Sequence, residues 1–260
     1  MKKIVVFDLD ETLGFFTDLG TIYDGIVNYT GKPMSQKMFD ALLELYPKYK
    51  RPGIIAILQY LKRQKKRNRC DKVMIYTNNQ GPKSWARHIK QYFEHVLDYP
   101  LFDQIIAAFK IGGERIEVCR TSHSKTVNDF IKCTKLPKNT QICFLDDQYH
   151  PDMISDDVYY IRLEPYVYHY TKHEILEKLE NSDIIKSMPN HKDAFLFIKA
   201  NIDNKTIDTA ERDTRHDIYK IVSKKIMYHL QSFFSTGTKH RTLKRYRRRK
   251  HKTLKKPKHA

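Results

Sequence analysis

The chain has 260 residues, of which 40% are hydrophobic, enough to bury a full core and to exclude an intrinsically disordered protein. No apolar run reaches membrane-spanning length, and Met1-Lys2-Lys3 passes directly into an apolar segment, so neither a membrane anchor nor a signal peptide is expected. The net charge of +18 is uneven: twelve of the 48 Lys/Arg lie between Lys239 and Ala260, where Asp and Glu are absent, leaving +6 on the preceding 238 residues.

The first element is a strand, Ile4-Val5-Val6-Phe7, that ends in Asp8-Leu9-Asp10-Glu11-Thr12-Leu13. Strand side chains alternate, so Asp8 and Asp10 would share a face, with Leu9 turned to the core. A carboxylate can attack phosphorus and split a difficult hydrolysis into two easier steps, which makes Asp8 the candidate nucleophile. Asp10 is placed to protonate the leaving oxygen and then to deprotonate water. Two anions facing a phosphate need a hard cation held by oxygen ligands, and Mg²⁺ is the expected one.

Residues 14–50 form an insertion containing Phe15, Phe16, Tyr23, Tyr29 and Gly31. Residues 51–163 alternate between helical and strand patterns. Ile54, Ile55, Leu58 and Leu61 fit one helical face and Trp85, Ile89, Tyr92, Phe93 and Val96 another, with Trp85 expected in the core. Six basic residues between Lys62 and Arg69 are expected to be a solvated helix end. Lys72–Tyr76 predicts a buried strand ending in Thr77-Asn78, which offer a hydroxyl and backbone amides to phosphate oxygens. Thr121–Thr126 opens a helical pattern, so Lys125 would lie near a helix N-terminus as a phosphate countercharge. Lys110, after another apolar run, competes for that role. His123 is expected on the surface. Ile142–Leu145 predicts a third strand, ending in Asp146-Asp147, and Val158–Leu163 a further one. Cys70, Cys119, Cys133 and Cys143 show no CxxC spacing, and all four are expected to be reduced thiols in a cytoplasmic or nuclear protein.

Residues 164–236 predict a helical appendage, with Ile218, Ile221, Val222, Ile226, Leu230, Phe233 and Phe234 as its packing stripe. Residues 237–260 predict a disordered basic tail. Its Lys239–Lys258 run is suited to nuclear import or to salt-sensitive, non-specific contact with nucleic acid.

Asp8-Leu9-Asp10-Glu11-Thr12-Leu13, Thr77-Asn78, Lys125 and Asp146-Asp147 resemble, in order, the four motifs of the haloacid-dehalogenase-like phosphatases. Glu11 and the Arg51-Pro52-Gly53 helix start resemble the branch of RNA polymerase C-terminal-domain phosphatases and NLI-interacting-factor-like phosphatases. Asp-Asp-Gln-Tyr here departs from that branch's frequent Asp-Asn-Ser-Pro. The resemblance covers roughly the first two-thirds of the chain. It implies an α/β fold, a Rossmann-like three-layer sandwich around a central, mostly parallel sheet, with residues 1–163 as core and 14–50 as a small flap or cap that selects substrate. It further implies catalysis by Asp8, Asp10, Thr77 and Lys125, phosphate binding by Thr77, Asn78 and Lys125, and Mg²⁺ on Asp8, Asp146 and Asp147 and on the Asp10 backbone carbonyl. The function so implied is a Mg²⁺-dependent protein Ser/Thr phosphatase. A polynucleotide end phosphatase, a small-metabolite phosphatase and a non-catalytic nucleic-acid-binding protein on the same fold are the alternatives.

Overall fold

The computed structural model describes residues 2–137, 139–204 and 215–235. Its elements in chain order are β1 (Lys3–Phe7), α1 (Thr17–Thr30), α2 (Gln36–Leu45), α3 (Ile54–Lys66), β2 (Lys72–Tyr76), α4 (Lys83–Leu97) and β3 (Gln104–Ile106). They continue with β4 (Lys110–Ile111), β5 (Glu114–Arg115), α5 (Val127–Thr134), β6 (Gln141–Asp146) and β7 (Val158–Arg162). The helices α6 (Lys172–Glu180), α7 (Asp183–Lys186), α8 (His191–Asn204) and α9 (His216–Ser235) follow.

Five strands form one parallel sheet in the order β3-β2-β1-β6-β7. Its strands are rich in β-branched and aromatic residues, which suit a pleated surface buried on both sides. Alternation sorts them between two cores. Val5, Phe7, Val73, Ile75, Cys143 and Leu145 join the larger one, while Ile4, Val6, Met74, Tyr76, Ile142 and Phe144 meet Phe130 of α5, Leu136 and Met153 on the other face. Burying a side chain such as Phe7 contributes about 1.5–3 kcal/mol. The result is the expected α/β three-layer arrangement. From β1 the chain moves outward through β2 and β3, then returns to place β6 on the other side of β1. That reversal opens a crevice between the carboxyl ends of β1 and β6, the usual ligand position in such sheets.

Residues 14–50 contribute α1 and α2, whose Leu19, Ile22, Ile26, Phe39, Leu42 and Leu43 are buried in the larger core. Trp85 packs there too, edge-on to Tyr23 and Phe39. The appendage docks on the same core, α8 against α1 and α9 against α3 and β7. Its predicted stripe is corrected at two positions: Tyr219, Ser223, Ile226, Leu230 and Phe233 are buried, whereas Ile218 and Ile221 are exposed. Tyr219 takes the inner position that a reading of aliphatic residues alone assigns to its neighbours.

The cysteine expectation also needs correction. Cys119 and Cys133 form a disulfide, and only Cys70 and Cys143 are free and buried. The pairing follows from the chain between β5 and α5 folding back along α5, a tertiary proximity that sequence spacing does not encode. The basic tail, with its Lys239–Lys258 run, lies outside the described residues.

Candidate active site

The loop after β1 is built by backbone bonds before any side chain enters. The Asp8 amide donates to Leu145 O (2.8 Å), extending the ladder to β6, and the Leu13 amide donates back to Leu9 O (2.9 Å). Glu11 sits at φ 56°, the left-handed region that costs a non-glycine residue about 1 kcal/mol. Buried Arg51 holds this turn, donating from Nε to Thr12 O (2.7 Å) and from its terminal nitrogen to Glu11 O and Glu164 O. Gly14 is required by close approach, since a Cβ there would lie 2.4 Å from Tyr49 O.

Asp8, Asp10, Glu11, Thr77, Asn78, Asn79, Lys125, Asp146, Asp147, Gln148 and His150 line a cavity of about 180 Å³ at the carboxyl ends of the strands. All seven sequence-predicted site residues, Asp8, Asp10, Thr77, Asn78, Lys125, Asp146 and Asp147, are among them. No residue of 14–50 is among those that line it, and the α1 and α2 of that insertion pack into the larger core. Lys110, the competing lysine, lies exposed in the β4–β5 hairpin, and His123 is exposed as expected. The cavity is smaller than the usual pocket for a drug-sized ligand and has room for a group of phosphoryl size.

Lys125 is positioned by Thr126, whose hydroxyl caps α5 by accepting from the Asp129 amide (3.0 Å). Its buried ammonium contacts Asp8 Oδ1 and donates to Asp146 Oδ2 at 2.7 Å. Burial alone would lower the lysine pKa, but Asp8 and Asp146 raise it, so the side chain is held charged. Asp8 is pushed up to about 6, chiefly by burial, with Lys125 opposing and Asp146 adding to the rise. Burial, then Asp8 and Asp146, likewise push Asp147 up to about 6, and Thr12 Oγ1 donates to its Oδ1 (3.0 Å). Burial would also raise Asp146, but hydrogen bonds from His150 and Lys125 prevail and lower it.

Asp10 is raised by burial and steadied by Asn79, whose Nδ2 donates to its Oδ2 at 2.7 Å. Thr77 Oγ1 accepts from the Asn79 amide (3.0 Å), and Asn78 Oδ1 accepts from Arg120 (2.7 Å). Asn79, His150 and Arg120 were absent from the sequence-predicted set. Asn79 lies one residue beyond a predicted pair, whereas no motif marks His150 or Arg120.

Carboxylate oxygens of Asp8, Asp146 and Asp147 lie within 4.8 Å of one another, a cluster able to hold a metal ion. The donor set fits a hard cation: the donors are all oxygen, they are buried, and two of the three are raised in pKa by burial and then by their carboxylate neighbours. The Asp10 side chain is outside that cluster and faces Asn79. Five carboxylates, Asp8, Asp10, Glu11, Asp146 and Asp147, line the cavity against one lysine, so a phosphate dianion is repelled unless further positive charge is bound.

Compared with protein-family models the chain matches none, and compared with curated proteins it matches none.

Proposed function

We propose that this protein is a Mg²⁺-dependent phosphomonoesterase that works through an aspartyl phosphate on Asp8. The observation that carries the reading is the position of Lys125 between Asp8 and Asp146, inside a three-carboxylate cluster at a strand-order reversal. A scaffold that only bound an anion would not bury three aspartates beside one lysine.

In the first step a carboxylate oxygen of Asp8 attacks phosphorus while the bond to the leaving oxygen breaks, and Asp10 gives that oxygen its proton. Burial raises the pKa of Asp10, which favours the protonated form that this step uses. In the second step Asp10 takes a proton from water as the water oxygen attacks the phosphorus, releasing phosphate and regenerating Asp8. Lys125 supplies a fixed positive charge, and the Thr77 hydroxyl and the Thr77-Asn78 backbone hold phosphate oxygens. Mg²⁺ on Asp8, Asp146 and Asp147 would neutralise the developing charge.

The resemblance to haloacid-dehalogenase-like phosphatases supports this chemistry, and its branch supports phosphoserine or phosphothreonine in proteins as substrate. A cavity of about 180 Å³ that opens at the strand ends agrees with a substrate extending beyond its phosphoryl group. The Lys239–Lys258 run favours a second reading, a polynucleotide end phosphatase, and also fits nuclear import. Phosphate release from phosphopeptides, 3′- and 5′-phosphorylated oligonucleotides and small esters, with and without Mg²⁺, tests both. A preference for peptides supports the first, a preference for oligonucleotide ends the second, and no release from any substrate rejects the phosphatase reading.

A further inference from the structure

Arg120 is fully buried, yet it makes no ion pair among the described residues. One terminal nitrogen donates to Thr77 O (3.1 Å) and Ala107 O (2.8 Å). The other donates to Asn78 Oδ1 (2.7 Å), His123 O (2.9 Å) and Ser124 O (3.4 Å). The guanidinium therefore ties the Thr77-Asn78 turn, which follows β2, to the strand end at Ala107 and to the segment immediately before Lys125. It also lies 4.8 Å from the centre of the Tyr76 ring, over which the Lys125 ammonium sits at 5.8 Å.

Arg120 is itself anchored on both sides. Cys119 is bonded to Cys133, and Thr121 donates from its amide to Asp129 Oδ2 (2.8 Å). Its own carbonyl accepts from Arg115 (2.8 Å). The guanidinium hydrogen-bonds only neutral oxygens, with Asp129 and Glu117 near enough to favour its charge without touching it, and Nε finds no partner. Such a charge is costly, and simple adhesion would be served as well by apolar packing. Its acceptors belong to three segments, of which Thr77-Asn78 lines the cavity and His123-Ser124 leads into Lys125, which also lines it.

We infer that Arg120 is the positioning residue for phosphate capture, fixing the Thr77-Asn78 turn against Lys125. The inference rests on the phosphatase reading of this site. Rigid support of binding groups by a second layer of hydrogen bonds is worth about 10- to 100-fold where it has been measured at metal sites.

The test compares full-length wild type with Arg120→Lys, Asn78→Ala and the double variant. It measures melting temperature, kinetics on a small chromogenic phosphate ester, and the affinity of inorganic phosphate by calorimetry in Mg²⁺. Arg120→Lys keeps a charge but loses the fork. The expected result is a folded Arg120→Lys whose KM and phosphate Kd both rise about tenfold or more, while kcat changes by less than about threefold. Asn78→Ala should weaken phosphate less, and the double variant should be no worse than Arg120→Lys alone. A folded Arg120→Lys with wild-type phosphate affinity, a fall in kcat at unchanged KM, or additive effects would overturn the inference. If Arg120→Lys does not fold, Asn78→Ala decides, because it cuts the same tie from the cavity side: weaker phosphate supports the inference and unchanged affinity overturns it. Wild type that neither binds phosphate nor hydrolyses the ester removes the phosphatase reading, and this inference with it. Wild type that does both, beside unaffected variants, removes the inference alone.

Discussion

The Lys125 ammonium joins Asp8 to Asp146 across the carboxyl ends of two adjacent parallel strands, at a position with 2% exposure. Replacing it by Met leaves two buried carboxylates without their shared cation. Lys125→Met should lower kcat by about 100-fold or more, the scale seen when one preorganised charge stabiliser is removed. Steady-state kinetics on a small phosphate ester, with circular dichroism to verify folding, measures it. Lys125→Arg should not restore activity, because a planar fork does not fit a closed space shaped to a compact ammonium.

Asn79 donates to Asp10 and lowers its pKa, partly offsetting the rise from burial. Asn79→Ala removes that donation, so Asp10 should hold its proton to higher pH. The second step needs ionised Asp10. The first step needs the same group protonated, so both limbs of the pH–kcat profile should move to higher pH. An unmoved acidic limb would separate Asn79 from the acid/base group.

Asp147, like Asp8, is pushed up to about 6, chiefly by burial. An unfolded Asp titrates near 3.9, so between about 4 and 6 the folded state binds more protons. Its stability contribution therefore falls as pH rises through that window, and the carboxylate is a net cost at pH 7. Asp147→Asn should raise the Tm of protein in EDTA at pH 7 by about 2–4 °C, corresponding to roughly 1 kcal/mol. The same variant should lose the stabilisation that Mg²⁺ gives wild type. Because ligands must be ionised to bind metal, wild-type Mg²⁺ affinity should weaken as pH falls through about 6. Thermal melts at several pH values with and without Mg²⁺ read all three effects.

The Cys119–Cys133 bond closes a short loop that includes Arg120 and Lys125. With a sequence separation of 14, the chain-entropy relation gives about 3 kcal/mol. Cys133→Ser, or reduction of wild type, should lower Tm by roughly 6–12 °C at 2–4 °C per kcal/mol. Cys70→Ser offers a control at a free buried thiol, where reductant should have no further effect beyond that on the disulfide.

Much of the parallel sheet was legible because its strands are short apolar runs with a chemical group at each carboxyl end. Asp8, Thr77 and Asp146 mark where β1, β2 and β6 stop. Lys125 was legible from the helix start that follows it. The short β3, three residues long, carried too little pattern to separate it from the run around it. Arg120 was hidden for a different reason. Its five acceptors come from Thr77, Asn78, Ala107, His123 and Ser124, which are assembled only by the fold, and four of them are backbone oxygens that leave no mark on residue type. The disulfide was missed on the same ground. The packing of residues 14–50 was carried by their apolar stripes, which turn α1 and α2 into the larger core.

The most direct measurement is acid quenching during turnover of a labelled phosphate ester with Mg²⁺, followed by mass spectrometric mapping of the modified peptide. Wild type should carry a hydroxylamine-labile phosphate on Asp8, and Asp8→Asn should carry none and release no phosphate. Full phosphate release by Asp8→Asn, or a phosphate trapped elsewhere, would contradict nucleophilic catalysis by Asp8.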